Sequence, residues 1–232
     1  ERGEAALRFA DASRCLNVNA LLDEDFNLVP EEKQRLALLL EAIGLGDGES
    51  ASVADAIGDF LDEDANQEPQ GAEDNFYTGL TTPYRTAGGP VAAVSELRAV
   101  DGVTREIYAR IAPFLCARTP GRKVEINVNA MTPEDAPLIF AATLGDWSVN
   151  DVRAYLSERP PGGWQPTVAA FWQGFGNPND LDLAGLANVE PTWIEARVLL
   201  QSGERSMEET LIIEMASVGK PSLYARVFGG GS

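Results

Sequence analysis

The chain has 232 residues, a formal net charge of −18 and no histidine. A chain of this length buries well over half of its unfolded surface, so it can fold as one large domain, or as a domain with an insertion, without a metal or a disulfide. The lack of histidine excludes imidazole-based nucleophile systems and histidine-ligated metals, and it leaves carboxylate chemistry open. The negative charge disfavours nucleic acids and anionic membranes as partners, because proteins bind both through lysine and arginine.

The N-terminal part of the chain contains four predicted elements. Small apolar residues at helical offsets predict that residues 2–12 form the end of a helix, and alternating apolar and polar residues predict a strand at 15–21. Leucines at helical spacing after a proline predict a helix at residues 31–43, and a second apolar face predicts another at 53–61. None of these segments is apolar over the length that a membrane-spanning helix needs.

The middle of the chain is predicted to be helical, and its C-terminal part is predicted to form a sheet. A tract rich in glycine, asparagine and proline at residues 174–182 separates the two parts. Alternating segments beyond this tract predict a three-stranded antiparallel meander. The predicted elements after residue 61 are helices at 95–98 and 105–111, a strand at 123–130, helices at 133–143, 149–158 and 166–172, and strands at 192–201, 207–217 and 222–228.

This order of elements predicts an α+β fold in which a helical domain is inserted into a domain that contains the sheet. Two domains in tandem fit the order less well, because one early strand cannot form a stable sheet by itself. We therefore predict one domain formed by residues 1–30 and 180–232, and an inserted helical domain formed by residues 31–179 with an acidic calcium-binding loop.

A short asparagine-containing sequence occurs twice. Residues 16–20 read LNVNA, and residues 126–130 read INVNA. Asparagine is a poor strand former, so its repetition at alternate positions has two explanations. Either one face of each segment makes specific hydrogen bonds, or each segment presents a solvated polar face.

The strongest local signal is an acidic segment. Residues 47–74 contain ten acidic residues and no lysine or arginine, and such crowding raises carboxylate pKa values unless a cation relieves it. The acidic and amide residues after residue 61 follow the spacing of a calcium-binding loop, although Gln67 stands where that pattern has glycine. The predicted calcium ligands are Asp62, Asp64 and Glu73, with Asn66, Glu68, Asp74 and Asp59 as further candidates.

Three other interpretations of the charged residues stay open at this point. The acidic segment can be a solvated loop without a metal, or a pair of its carboxylates can serve as the acid and base of a glycosidase-type site. Residues 97–111 and 144–163 are similar to helix-hairpin-helix units, which contact DNA phosphates through backbone N–H groups. At a net charge of −18, a compact helix pair is the favoured interpretation of both units.

The two cysteines, Cys15 and Cys116, are 101 positions apart and have no other thiol near them. This spacing excludes a cysteine metal site and leaves either a disulfide or two buried thiols. The choice between them depends on whether the protein resides in an oxidising compartment.

Six short motifs follow one another in a specific order. They are LNVNAL at 16–21, ADAIxDFLDxD at 54–64, GAEDxFY at 71–77, PYR at 83–85, SELRxVxGV at 95–103 and INVNA at 126–130. In these motifs and their order, the chain resembles the K-type minor pseudopilins of the bacterial type II secretion system. The resemblance extends over nearly the whole chain.

The resemblance implies a pilin-like domain, made of an N-terminal helix and an antiparallel sheet, with a large helical insertion. It implies a non-enzymatic subunit at the tip of a short pseudopilus, with the I-type and J-type minor pseudopilins as partners and secreted proteins as further candidate partners. It also implies a periplasmic location, with anchoring in the inner membrane through an N-terminal helix that is absent from this chain. The alternative function is a free calcium-binding or helix-hairpin-helix DNA-binding module.

The resemblance also makes expectations about the metal and the cysteines. Members of the family bind calcium in the helical domain, so calcium is the expected cofactor. Because the periplasm is oxidising, Cys15 and Cys116 are expected to form a disulfide. The acidic motif of the family falls on Asp59, Asp62, Asp64, Glu73 and Asp74.

Overall fold

The computed structural model of the chain describes residues 3–121, 126–174, 186–203, 205–215 and 220–229. These residues form a four-stranded antiparallel sheet and a body of short helices, which confirms the predicted α+β class. The strands are β1 (Glu4–Asp11), β2 (Leu16–Asn17), β3 (Leu115–Cys116), β4 (Ile126–Asn127), β5 (Ala187–Asn188), β6 (Trp193–Ser202), β7 (Arg205–Glu214) and β8 (Ser222–Phe228). The α-helices are α1 (Pro30–Ala42), α2 (Asp47–Leu61), α3 (Asp74–Thr78), α4 (Arg105–Ile111), α5 (Ala136–Ala142), α6 (Val149–Ser157) and α7 (Ala169–Gln173).

The large sheet has the strand order β1-β6-β7-β8, and every neighbouring pair is antiparallel. Strands β6, β7 and β8 correspond to the meander predicted from the alternating segments, which is thus confirmed. The predicted strand at 207–217 extends to residues 216–217, which lie outside the described residues. A bulge between Ile212 and Ile213 shifts the register of β7 against β8.

The helix predicted over residues 2–12 is wrong, because this segment is the edge strand β1. It pairs with β6 from Glu4 opposite Gln201 to Asp11 opposite Ile194. Its small residues suit a helix, but pairing with a long neighbouring strand overrides such local preferences. The signal that identifies the strand is the alternation of Ala5, Leu7 and Phe9 at every second position, which places these side chains on one face of the sheet.

The helical body contains the apolar core. Helix α1 packs against α2 and α5, and the buried leucines of α1 lie at the centre of one contiguous apolar cluster. Pro30 begins α1 and Pro133 begins a 3₁₀ turn (Pro133–Asp135) that leads into α5, as expected for proline in a first helical turn. The helices predicted at 31–43, 53–61, 105–111 and 149–158 are observed, and α2 begins six residues earlier than predicted.

The two segments similar to helix-hairpin-helix units fold as compact helix pairs. In the first, a 3₁₀ helix (Val94–Ala99) precedes α4, and Leu97 and Ile107 are buried in the core. The second contains α6 and a turn in which Leu144 and Gly145 have positive φ angles, and this turn joins α6 to α5, which precedes the segment and packs against α6.

The strands predicted at 15–21 and 123–130 are much shorter than predicted. Each forms only a two-residue parallel pair, β2 with β3 and β4 with β5, and residues 122–125 lie outside the described residues. The asparagines explain the early end, because the side chain of Asn17 accepts a hydrogen bond from the backbone N–H of Asn19 and turns the chain. Asn127 and Asn129 repeat this contact in the second segment.

The asparagine repeat is a hydrogen-bonding device and not a solvated face. Asn19 is buried, its side-chain oxygen accepts from the N–H of Val91, and its amide donates to the carbonyls of Val91 and Arg118. Asn129 likewise accepts from the N–H of Trp164 and donates to the carbonyl of Val189. Each asparagine segment therefore holds loops that are distant in sequence: Asn19 binds the backbone at Val91 and Arg118, and Asn129 binds it at Trp164 and Val189.

Cys15 and Cys116 form a disulfide with a Cα–Cα distance of 5.7 Å, which confirms the pairing that the resemblance implied. The bond lies beside the pairing of β2 with β3, so it ties the start of the helical body to the residues that follow α4. It closes a loop with a sequence separation of 101 that contains α1, α2, α3 and α4.

The sheet joins the helical body through polar and cation–π contacts. Ser13 accepts hydrogen bonds from the N–H groups of Thr192 and Trp193, and the guanidinium of Arg118 lies 4.7 Å from the ring centroid of Trp193. The domain boundaries at 30/31 and 179/180 stay a prediction, and the second lies outside the described residues. Apolar residues between 16 and 22, which the prediction assigns to the sheet domain, pack in the core of the helical body. Within the described ranges, no helix combines the length and the apolarity needed to cross a membrane.

Candidate metal centre

Three predicted calcium ligands come together where α2 ends. One carboxylate oxygen each from Asp62, Asp64 and Glu73 lie within 4.8 Å of one another. Asp62 has an extended backbone that stops α2, and the chain from there to Glu73 has no regular structure. Glu73 occupies the cap position of α3, so the loop begins and ends at the same cluster.

Two of the three carboxylates are buried and incompletely satisfied. Asp62 is 4% exposed and Glu73 is 6% exposed, whereas Asp64 is exposed to solvent. Among the described residues, no donor reaches Asp62 Oδ1 or Glu73 Oε1. A buried carboxylate oxygen without a donor is costly, and a bound cation compensates for it. The three oxygen donors therefore fit a hard cation such as calcium, which prefers carboxylate ligands.

The electrostatics of the cluster agree with this fit. Burial and the negative charges of Glu73 and Asp64 raise the pKa of Asp62 from 3.8 to about 7. Burial and the charge of Asp59 also raise the pKa of Glu73. Both shifts mean that the folded chain tolerates these negative charges poorly, so a cation that binds them is favoured.

The four further candidate ligands contact protein groups. Asp59 is fully buried, and its carboxylate accepts from the backbone N–H of Glu68 at 3.0 and 3.2 Å. The carboxylate of Glu68 lies 2.5 Å from Lys33 Nζ. Asp74 pairs with Arg85 at 2.6 Å and accepts from the N–H of Thr86. Asn66 is exposed, and its N–H donates to Asp64 Oδ1 at 2.5 Å.

The loop is held in place by residues that the sequence analysis did not single out. Gly71 lies so close to Asp59 that a Cβ atom there would be 2.0 Å from Asp59 Oδ2, so only glycine fits. Tyr77 is fully buried against Phe60, with ring centroids 5.6 Å apart, and its hydroxyl accepts from the N–H of Asp101. Lys33 lies on the helix predicted at 31–43, but the spacing of that helix does not show that its ammonium reaches Asp55 and Glu68.

The cluster opens into a cleft of about 570 Å³. Asp74, Arg85 and Thr86 line this cleft together with Asp62. The backbone N–H groups of Ala87 and Gly88 donate to the carbonyl of Phe60, and these hydrogen bonds hold the segment that follows Thr86 against the end of α2. The cleft gives a cation access to the carboxylate cluster from solvent.

Comparisons with known proteins identify the family. The family model described as "Type II secretion system (T2SS), protein K" matches residues 14–120, the part that contains the carboxylate cluster and the disulfide. The type II secretion system protein K of Pectobacterium carotovorum subsp. carotovorum is 30% identical over 234 residues, which cover 98% of this chain and 71% of that protein. The chain belongs to the type II secretion system protein K family.

Two further comparisons support membership of the protein K family. The protein K of Aeromonas hydrophila is 31% identical over 238 residues, covering 98% of this chain and 72% of that protein. A chain in the crystal structure of the GspK-GspI-GspJ complex from enterotoxigenic Escherichia coli matches with a TM-score of 0.81 and 26% identity, covering 99% of this chain and 81% of that chain. The resemblance to K-type minor pseudopilins seen in six sequence motifs is therefore confirmed.

Proposed function

We propose that this chain is the non-enzymatic terminal subunit of a type II secretion pseudopilus and that it assembles with the I-type and J-type minor pseudopilins. The observation that carries the proposal is the similarity over 99% of the chain to a protein solved in a GspK-GspI-GspJ complex. We place the chain in the bacterial periplasm, anchored in the inner membrane through a hydrophobic helix upstream of Glu1.

The architecture supplies a physical reason for a terminal position. All α-helices that the structure describes fall between the end of β1 and the start of β6, so the helical body is attached at one end of the sheet. A pilin-like filament grows by repeating one head-to-tail contact. A body of this size at one end of the subunit removes the surface that the next subunit needs. Growth then proceeds only from the other end.

The test is to mix the soluble domain with those of the I-type and J-type subunits and to measure the mass by light scattering. One copy of each subunit in a stable complex is the expected result. Failure to bind either partner contradicts the proposal, as does open-ended polymerisation of this chain alone.

We also propose that Asp62, Asp64 and Glu73 hold a calcium ion that stabilises the helical body, with Asp59, Asn66, Glu68 and Asp74 around it. The two buried carboxylate oxygens without a donor carry this proposal. Bound calcium would neutralise charge that the fold otherwise tolerates poorly, and it would hold the two ends of the loop together. Binding to the native state alone stabilises by about 2.7 kcal/mol at a hundred times the dissociation constant.

Thermal melts in calcium and in chelator test the calcium proposal. The expected result is a higher melting temperature in calcium, with a smaller difference in Asp64→Asn. Glu63→Gln is the matched control, because Glu63 is an exposed acid of the same loop outside the cluster. Identical melts in calcium and chelator, together with no calcium in the purified protein by elemental mass spectrometry, contradict it.

A further inference from the structure

The C-terminal end of α2 and the residue that stops it carry a row of three buried carboxylates. Asp55 and Asp59 are four residues apart on one face of α2, and Asp62 follows three residues later as the residue that ends the helix. Each is less than a tenth exposed. A buried carboxylate needs a compensating positive charge or hydrogen-bond donors, so each member of the row requires its own explanation.

The first member of the row is neutralised by a lysine from another helix. Lys33 Nζ lies 2.7 Å from Asp55 Oδ1 and 2.5 Å from Glu68 Oε2, so its ammonium bridges α2 and the acidic loop. The side chain of Lys33 passes over Gly58, where an added Cβ would be 3.7 Å from Lys33 Cδ and 3.2 Å from the Leu28 side chain. The ammonium is thus seated by packing as well as by charge.

Compensation weakens along the row. Asp55 has an ammonium and also accepts from the N–H of Gln70 at 3.2 Å, whereas the only donor to Asp59 within the described ranges is the N–H of Glu68. At the far end, Asp62 Oδ1 has no donor among the residues that the structure describes. Among the described residues, a protein cation therefore neutralises Asp55 at one end of the row, and none contacts Asp62 at the other.

We propose that Lys33 is the built-in counter-ion of this acidic region and that its ammonium takes the place of a second metal ion. The chain therefore takes one divalent cation, at Asp62, Asp64 and Glu73, and Lys33 excludes another from Asp55, Asp59 and Glu68. This inference rests on the proposed calcium site.

Removing the Lys33 ammonium should allow a second calcium ion to bind. In Lys33→Gln, the carboxylates of Asp55 and Glu68 lose their cation but keep their backbone positions, because Asp55 and Asp59 still accept from the N–H groups of Gln70 and Glu68. Three carboxylates without a cation form a set of oxygen donors of the kind that calcium prefers. The variant is expected to gain a second calcium ion, and Lys33→Arg is expected to keep one, because it keeps the charge.

Native mass spectrometry in calcium counts the bound ions directly. The wild-type chain and Lys33→Arg are expected to carry one calcium ion and Lys33→Gln two. Lys220→Gln is the matched control for non-specific adducts, because Lys220 is exposed and lies just before β8. It is expected to carry one.

Each outcome decides a different point. One calcium ion on Lys33→Gln overturns the inference while leaving the proposed calcium site intact. Two ions on the wild-type chain also overturn it, and this count is decisive even if Lys33→Gln fails to fold. No calcium on the wild-type chain overturns the proposed site, and with it the inference.

Discussion

Replacing Asp62 by asparagine should have opposite effects in chelator and in calcium. In chelator, Asp62→Asn removes a buried negative charge that Glu73 and Asp64 repel, so the variant should be more stable than the wild-type chain at pH 8. In calcium it loses a charged ligand, so calcium should stabilise it much less. A side chain important only for packing would not produce this reversal.

The size of the effect follows from the pKa of Asp62. It rises from 3.8 to about 7 on folding. Each pKa unit is worth about 1.4 kcal/mol, so the ionised side chain costs up to about 4 kcal/mol at pH 8. Solvent screens the open side of the loop, and we expect about half of this, roughly 2 kcal/mol. For a chain of this length, 2 kcal/mol corresponds to a rise in melting temperature of about 4–8 °C.

The assay is a thermal melt followed by circular dichroism at pH 8, in calcium and in chelator. Asp64→Asn is the matched control, because Asp64 belongs to the cluster but is exposed. It should lose calcium stabilisation but gain less stability in chelator than Asp62→Asn, because it removes only the repulsion of Asp64 on Asp62 and not a buried charge. If Asp62→Asn melts at or below the wild-type temperature in chelator, the electrostatic reasoning is refuted. If calcium stabilises it as much as the wild-type chain, Asp62 is not a ligand.

Three further predictions follow from the same structure. Because the pKa of Asp62 is raised, the cost of its charge grows as pH rises from 4 to about 7. Calcium should therefore raise the melting temperature more at pH 8 than at pH 5.5. A difference in melting temperature between calcium and chelator that stays constant with pH contradicts this. The double variant Cys15→Ser/Cys116→Ser should lose about 4–5 kcal/mol, because the disulfide closes a loop with a sequence separation of 101; an unchanged urea midpoint would show that the bond contributes nothing. Arg118→Ala should lower the free energy of unfolding by about 1–2 kcal/mol through the lost contact with Trp193. Arg98→Ala, which removes an exposed arginine 5.9 Å from the Tyr108 ring, should lower it by less than about 0.5 kcal/mol. Equal losses of stability in the two variants count against a special role for Arg118.

The sequence predicted the elements whose signals are local. Helix α1 begins with a proline and carries leucines at helical spacing, and β6 to β8 alternate along their length, so each was found close to its observed position. The edge strand β1 was missed, because its alanines favour a helix and outweighed the alternation of Ala5, Leu7 and Phe9; pairing with β6 overrides that preference. The asparagine segments were predicted as strands, because spacing does not show that an asparagine side chain caps its own backbone.

The residues of the carboxylate cluster could be predicted from the sequence, but the contacts of the remaining candidate ligands could not. The loop spacing identified Asp62, Asp64 and Glu73 among seven candidate ligands, because a loop that starts and ends with acids brings its ends together around a cation. It did not show that Asp59 accepts a hydrogen bond from the N–H of Glu68, or that the carboxylate of Glu68 pairs with Lys33. That contact depends on how α1 crosses α2, and packing between helices distant in sequence is not written in the spacing of either one.

The most direct test of the proposed function is to locate this subunit in assembled pseudopili. A gold label on the helical body, viewed by electron microscopy of pseudopili assembled with all of their subunits, reports its position along each fibre. The account predicts one label per fibre, at one end, because the helical body leaves no surface for a further subunit. Labels distributed along the fibre would contradict a terminal position, and fibres without any label would contradict incorporation of the chain into the pseudopilus.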